Sequence, residues 1–297
     1  MTELGRVITA MITPFDYEGQ VDYEESALLA KALVGSGSEG LVVTGTTGES
    51  PTLTPEERLG LYRAVKAAVG DSAAVIAGTG TNNTAESIAN SRDAERAGAD
   101  AVLLVVPSYN KPPQEGLYQH FRAVAEAVSI PCILYNVPGR TSLNMSAETT
   151  IRLSEIDNVV GVKEAGGDLG QITRIIKSAR GDFRVWSGND DETFYIVAAG
   201  GYGVVSVASH LVGGQIKGMI GMLLEGDIEA AAAEHRRLLE LNKVIFTVSN
   251  PIPTKHAVAR RGYRVGRPRL PLVSLTREEA ARIEEVVDRY SIDLPAR

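Results

Sequence analysis

The chain has 297 residues, a length that fits two ordinary domains or one large one, since α/β barrels run to about 250 residues as a single unit. Apolar residues make up 44% and charged residues 23%, a globular composition that excludes disordered and collagen-like chains. With 30 Lys and Arg against 37 Asp and Glu the net charge is -7, so no overall basic field exists to hold nucleic acid or an anionic membrane.

Along the chain, short β-branched apolar runs begin at Val7, Gly40, Ala73, Asp100, Pro131, Val159, Phe183 and Gly203. Successive starts lie 20 to 33 residues apart, the length of a strand, a crossover helix and two loops. The runs are almost continuously apolar, which predicts strands covered on both faces, as in a parallel sheet. The segments between them carry helix-end signals. Thr54-Pro55-Glu56-Glu57 is a capping box with proline at the first helical position, Thr276-Arg277-Glu278-Glu279 is a second box, and Gly98 closes a helix before the fourth run. Eight such units without a linker predict a closed (β/α)8 TIM barrel over residues 1–226. Residues 227–297 predict a C-terminal α-helical extension, with helices over Asp227–Lys243, after Pro253 and over Thr276–Tyr290.

Several chemistries lack their signatures. Cys132 is the only cysteine, which excludes an intramolecular disulfide framework and a cysteine-rich zinc site and fits a reducing cytoplasm. His120, His210, His235 and His256 show no metal-ligand spacing and are expected on the surface or in packing. In Gly78-Thr79-Gly80-Thr81-Asn82-Asn83, Asn83 stands where a dinucleotide fingerprint needs glycine. No Gly-x-Ser-x-Gly elbow or Walker loop occurs. Residues Lys255 to Arg269 are locally basic and predict a charged surface or a subunit contact. No basic segment followed by a long apolar run opens the chain and no 18 consecutive apolar residues occur, so a protein neither exported nor membrane-spanning is expected.

In a barrel of this kind the active site sits at the C-terminal ends of the strands, and four strands end in polar groups. Lys163 closes the apolar run Val159-Val160-Gly161-Val162. It reads either as a strand-end lysine that reaches water or pairs with Glu164, or as a desolvated amine that attacks a carbonyl and forms a Schiff base. Tyr135 and Arg140 follow the fifth run, the one able to pass a proton and the other to clamp a carboxylate. Alone, they read equally as a packing tyrosine and a surface arginine. After the second run, Gly45-Thr46-Thr47-Gly48-Glu49 combines a tight turn with two hydroxyls and suits a small carboxylate. After the fourth, Tyr109 sits in a proline-stiffened loop. Together these groups suit imine chemistry on a keto acid.

Gly45-Thr46-Thr47-Gly48-Glu49, Tyr135-Asn136-Val137-Pro138-Gly139-Arg140-Thr141, Gly161-Val162-Lys163-Glu164-Ala165 and Ser249-Asn250-Pro251-Ile252-Pro253 resemble the motifs of the dihydrodipicolinate synthase family, end to end along the chain. The wider superfamily includes N-acetylneuraminate lyase and class I pyruvate aldolases of sugar acids. The resemblance implies a lyase in which Lys163 condenses with pyruvate and the resulting enamine attacks L-aspartate 4-semialdehyde, on the diaminopimelate route to L-lysine. It implies a proton relay of Tyr135, Thr46 and Tyr109, with Tyr109 reaching into a neighbouring subunit of a homotetramer. Thr47 would hold the pyruvate carboxylate, Arg140 the carboxylate of the semialdehyde, and Gly188 and Val205 would line the pocket; no metal or organic cofactor is implied. The alternative within the superfamily is a pyruvate-dependent aldolase acting on a 2-keto-3-deoxy sugar acid or N-acetylneuraminate. A catalytically silent barrel would have no need of all four relay and Schiff-base groups. Many relatives bind L-lysine as a feedback inhibitor; this chain keeps Asn82 and Glu86 of that site but has Pro55, Arg58 and Ser108 where lysine-sensitive members often carry two histidines and a tyrosine. Weak or absent lysine inhibition is therefore expected.

Overall fold

The structure, a computed structural model, describes residues 3–297. Eight parallel strands close into a barrel in chain order: β1 (Val7–Ala10), β2 (Gly40–Val43), β3 (Ala74–Gly78), β4 (Ala101–Val105), β5 (Cys132–Asn136), β6 (Val159–Glu164), β7 (Arg184–Ser187) and β8 (Gly203–Ser206). Each begins at the residue predicted from the sequence or one residue later. The barrel closes where Ile8 of β1 pairs with Gly40 on one side and with Val205 of β8 on the other. Strands buried on both faces need apolar residues at every position, which is why the runs do not alternate.

Alternation of side chains along β5 and β6 decides what faces the barrel axis. Tyr135 pairs with Lys163, and Lys163 with Trp186, so all three project inward. The wholly buried Trp186 fills the barrel beneath Lys163 and its Nε1 donates to Gly5 O at 3.0 Å. Gly161, two residues before Lys163, makes room for it: a Cβ there would lie 2.5 Å from the indole and 2.3 Å from Arg184 O.

The predicted capping boxes form at Thr54 and Thr276, where each threonine accepts from the N3 amide and the N3 glutamate bonds back. Gly98, at φ 89°, follows the helix Thr84–Arg96. After the helix Ser209–Glu225, which ends at Gly226 in the left-handed region, come the helices Ile228–Val244, Ile252–Ala259 and Arg277–Val287. These three match the segments expected of the extension, and no helix among the described residues is long and apolar enough to cross a membrane.

The basic stretch Lys255 to Arg269, expected as a charged surface or subunit contact, keeps Arg260, Arg264 and Arg267 exposed but turns its two ends inward. Lys255 is buried, with side-chain exposures of 2% for it and 0% for Glu49, and its Nζ donates to Glu49 Oε1 at 2.7 Å and to Thr13 O at 3.0 Å. The same ammonium lies 4.2 Å from the Phe15 ring centroid. Arg269 donates its backbone N–H to the other Glu49 oxygen at 2.9 Å and its guanidinium to both oxygens of Glu57. Arg264 and Arg297 both pair with Glu25, a buried residue in the first turn of the helix Tyr23–Gly35. Lys255 and Arg269 are thus turned inward by acidic partners far away in the sequence, whereas Arg260, Arg264 and Arg267 between them remain exposed.

A buried ion pair is most sensitive to losing one member, because the survivor stays charged in a medium that solvates it poorly. Lys255→Ala is expected to lower the unfolding free energy by about 3–5 kcal/mol, whereas Lys255→Met combined with Glu49→Gln loses much less. Urea unfolding of the two proteins at neutral pH is the measurement; equal losses would contradict the pairing.

Candidate active site

Two joined cavities open at the C-terminal end of the strands. The inner one, about 60 Å³, is lined by Lys163, Thr47, Gly188, Val207 and Asn250 among others; the outer one, about 500 Å³, reaches Arg58, Asn82, Glu86 and Ser108. Thr46, Tyr135 and Arg140 line both and mark the passage between them.

Lys163 is 5% exposed, and its Nζ lies 4.4 Å from the centroid of the Tyr135 ring. Burial disfavours its ammonium form and lowers its pKa to about 8; Asp190 opposes that shift and the Arg140 guanidinium adds to it. Glu164 does not pair with it, because the next residue on a strand points to the other face. Tyr135 is pushed up to about 12 by burial, with Arg140 pulling it back, so the phenol keeps its proton at neutral pH. Asp190 is buried and accepts from Ser206 Oγ and from the N–H groups of Val207 and Ala208, the latter two at 3.0 Å; burial raises its pKa and these bonds counter the rise. The amine is thus largely desolvated, flanked by a protonated phenol, and subject to the opposing fields of a carboxylate and a guanidinium.

The Gly45–Glu49 turn is built differently from the glycine turn expected. Its left-handed residues are Thr44 and Glu49, both at φ 57°, while the two glycines supply clearance: a Cβ on Gly48 would lie 3.1 Å from Thr44. The N–H groups of Gly48, Glu49 and Ser50 bond back to carbonyls of the turn at 3.1, 3.1 and 3.3 Å, so the donors it offers to a ligand are the threonine hydroxyls and the N–H groups of Thr46 and Thr47. Thr47 Oγ1 accepts from Asn250 Nδ2 at 2.8 Å. Among the described residues no group of three or more His, Cys, Asp or Glu side chains is arranged to hold a metal ion. Asn83, the residue that breaks the dinucleotide fingerprint, caps the helix Thr84–Arg96 through its side chain.

The model of the dihydrodipicolinate synthetase family matches residues 3–290. A 4-hydroxy-tetrahydrodipicolinate synthase of Dehalococcoides mccartyi (strain CBDB1) is 57% identical over 295 residues, 99% of each chain. The chain belongs to the dihydrodipicolinate synthetase family. Among solved structures, a dihydrodipicolinate synthase of Bacillus anthracis is 45% identical and superposes with a TM-score of 0.96 over 98% of this chain and 99% of that one. A lysine-bound synthase of Cyanidioschyzon merolae is 44% identical, with a TM-score of 0.94 over 97% and 99%.

Of the residues singled out for this family, Lys163, Tyr135, Thr46, Thr47, Arg140 and Gly188 all line the inner cavity, and Asn82 and Glu86 line the outer one. Two stand elsewhere. Val205 pairs with Ile8 one inward layer below the cavity, and the residue of that segment that reaches the cavity is Val207. Tyr109 lies on the surface, 91% exposed at φ 70°, and touches neither cavity. Asp190 and Asn250 had no role assigned from the sequence. Asn250 lay within a motif already recognised; Asp190 carried no signal beyond following Gly188.

Behind the reactive residues, the outward neighbours Asn136 and Glu164 hold the loop that carries Arg140. Asn136 Oδ1 accepts from Met145 N at 3.0 Å, and its Nδ2 donates to Asn144 Oδ1 at 2.7 Å and to Glu164 Oε1 at 3.0 Å. Glu164 also accepts from Gly166 N at 2.8 Å, and among the described residues it pairs with no cation. Burial raises its pKa to about 7 despite these bonds, and Glu192 adds to the rise. Since the folded pKa stands above that of the unfolded chain, Glu164 contributes stability that is full below the usual carboxylate range and is lost as pH rises through about 7. Glu164→Gln, which does not titrate, is expected to remove a decline on the order of 3 kcal/mol between about pH 5 and 8. Urea unfolding of both proteins across that range tests it; parallel profiles would show that Glu164 carries none of the pH dependence.

Proposed function

We propose that this chain condenses pyruvate with L-aspartate 4-semialdehyde through a Schiff base on Lys163, the reaction of a 4-hydroxy-tetrahydrodipicolinate synthase and a lyase activity. One observation carries the assignment of roles: an amine desolvated enough to be substantially neutral near pH 8 faces a protonated phenol in a cavity of about 60 Å³ beside two threonine hydroxyls. The full-length relatives named for this synthase favour it over a sugar-acid aldolase with the same lysine.

The neutral amine of Lys163 attacks the ketone of pyruvate, and the carbinolamine loses water to give an imine. The imine acidifies the pyruvate methyl group; its proton leaves and the enamine attacks the aldehyde carbon of the second substrate. The amine of that substrate then displaces Lys163 and closes the ring. Tyr135 donates and recovers protons at the reacting oxygen, with Thr46 beside it and Tyr109 of a second copy completing the relay. Thr47 holds the pyruvate carboxylate, with Gly188 in the wall of the same cavity and Val205 behind it. Arg140, at the passage between the cavities, takes the carboxylate of the second substrate. The exposed Tyr109 supports a dimer as the smallest complete unit and a homotetramer, a dimer of dimers, as the assembly. A cytoplasmic location belongs to the same reading.

Borohydride reduction in the presence of pyruvate is expected to fix a mass adduct on Lys163 and to fix none in Lys163→Ala. Attack requires the free amine, so the rate of trapping should rise about tenfold per pH unit below about 8 and level off above it. Arg140→Ala should leave pyruvate trapping intact while raising KM for the semialdehyde; an equal loss of both contradicts its role. A pH-independent trapping rate contradicts the desolvated amine.

Asn82 and Glu86 share the outer cavity with Arg58, whose Nη2 donates to Ser50 O at 2.9 Å. A guanidinium there repels the ammonium groups of L-lysine, and Pro55 and Ser108 supply no aromatic surface. Inhibition by L-lysine is expected to be weak or absent, and the solution mass that of a tetramer. A sub-millimolar inhibition constant overturns the first expectation, and a monomeric mass with full activity overturns the second.

A further inference from the structure

Asn250 lies outside the eight strand and helix units, in the turn between the helices Ile228–Val244 and Ile252–Ala259, yet it lines the inner cavity with Lys163 and Thr47. The residue is 6% exposed. Its Nδ2 donates to Thr47 Oγ1 at 2.8 Å, while its Oδ1 is buried with no hydrogen-bond partner among the described residues.

The direction of the first bond has a chemical consequence. A threonine hydroxyl has one proton and two acceptor sites. An amide N–H that fills one acceptor site leaves the proton for another acceptor and strengthens it as a donor. With the N–H groups of Gly48, Glu49 and Ser50 engaged within the turn, the Thr47 hydroxyl stands beside the N–H groups of Thr46 and Thr47 as a donor the turn can present to an anion. The second feature points the same way. A buried acceptor without a partner destabilises the protein that carries it, and such groups persist where function needs them. The segment is also locked in place: Lys255, five residues on, pairs with Glu49 of the same turn at 2.7 Å.

We infer that Asn250 is a positioning residue for pyruvate, one that fixes the Thr47 hydroxyl as a donor to the substrate carboxylate, so that the C-terminal extension sets affinity for the first substrate. The inference rests on the reading of Lys163 and pyruvate given above.

The test compares the full-length protein with Asn250→Ala, Asn250→Asp, Thr47→Val and the Asn250→Ala/Thr47→Val double variant. Half-saturation by pyruvate is read from borohydride trapping, KM from steady-state rates for both substrates, and the thermal midpoint from unfolding. Asn250→Ala is expected to raise pyruvate half-saturation about tenfold, to leave KM for the semialdehyde unchanged, and to leave the thermal midpoint no lower than that of the parent. Asn250→Asp keeps the shape but cannot donate; it takes the Thr47 proton and repels the pyruvate charge, so it is expected to bind at least as weakly as the alanine variant. The double variant should be no weaker than Thr47→Val alone, because the asparagine acts through that hydroxyl. Restoration of affinity by Asn250→Asp, additive losses in the double variant, or a lowered midpoint with equal loss for both substrates would each overturn the inference in favour of a packing role. If the parent protein itself fails to trap pyruvate, the reading of the site falls and takes this inference with it. If it traps pyruvate and Asn250→Ala has the same half-saturation, this inference alone falls.

Discussion

The two-residue period of a β-strand is the constraint on which the site depends. At the ends of β5 and β6 it sends Tyr135 and Lys163 inward and Asn136 and Glu164 outward. The inward pair meets at the inner cavity, where burial lowers the lysine pKa and raises that of the tyrosine. The outward pair forms the polar brace that anchors the loop bearing Arg140. A shift of either strand by one residue would exchange the two sets and leave neither reactive groups nor brace.

A second layer of organisation comes from the C-terminal helices. They do not merely cover the barrel. Lys255 reaches Glu49 and Thr13 in the loops that follow β2 and β1, Arg269 holds the other side of Glu49, and Asn250 meets Thr47 at the inner cavity. The threonine turn is therefore held from behind by charge and from within by an amide. Its left-handed residues, Thr44 and Glu49, are each tied by side-chain bonds, Thr44 to Tyr62 OH at 2.6 Å and Glu49 to Lys255. Such ties hold a backbone that non-glycine residues rarely adopt.

Much of this was legible in the sequence, because strand burial and helix capping are local signals. Eight β-branched runs, two capping boxes and a lysine ending an apolar strand each declare themselves within a few residues. Val205 shows where local reading stops: its place in a strand was clear, but whether it or Val207 reaches the cavity depends on how high each layer stands in the closed barrel. Tyr109 is a similar case, since a loop residue's direction is set by its backbone, here left-handed, and by what the loop packs against. In the basic stretch, the inward turn of Lys255 and Arg269 was not legible, because charges in sequence carry no record of their partners.

The sequence by itself determined the eight strand and helix units and their closure into a barrel, since these follow from strand burial and helical periodicity, and it marked Lys163 and Tyr135 at strand ends without deciding which way they face. Only the tertiary structure decided which distant groups meet. Glu49 and Lys255 are 206 positions apart, and Thr47 and Asn250 are 203 apart. Their pairing arises from closure of the barrel and the return of the chain across its C-terminal end, and no local pattern encodes that geometry.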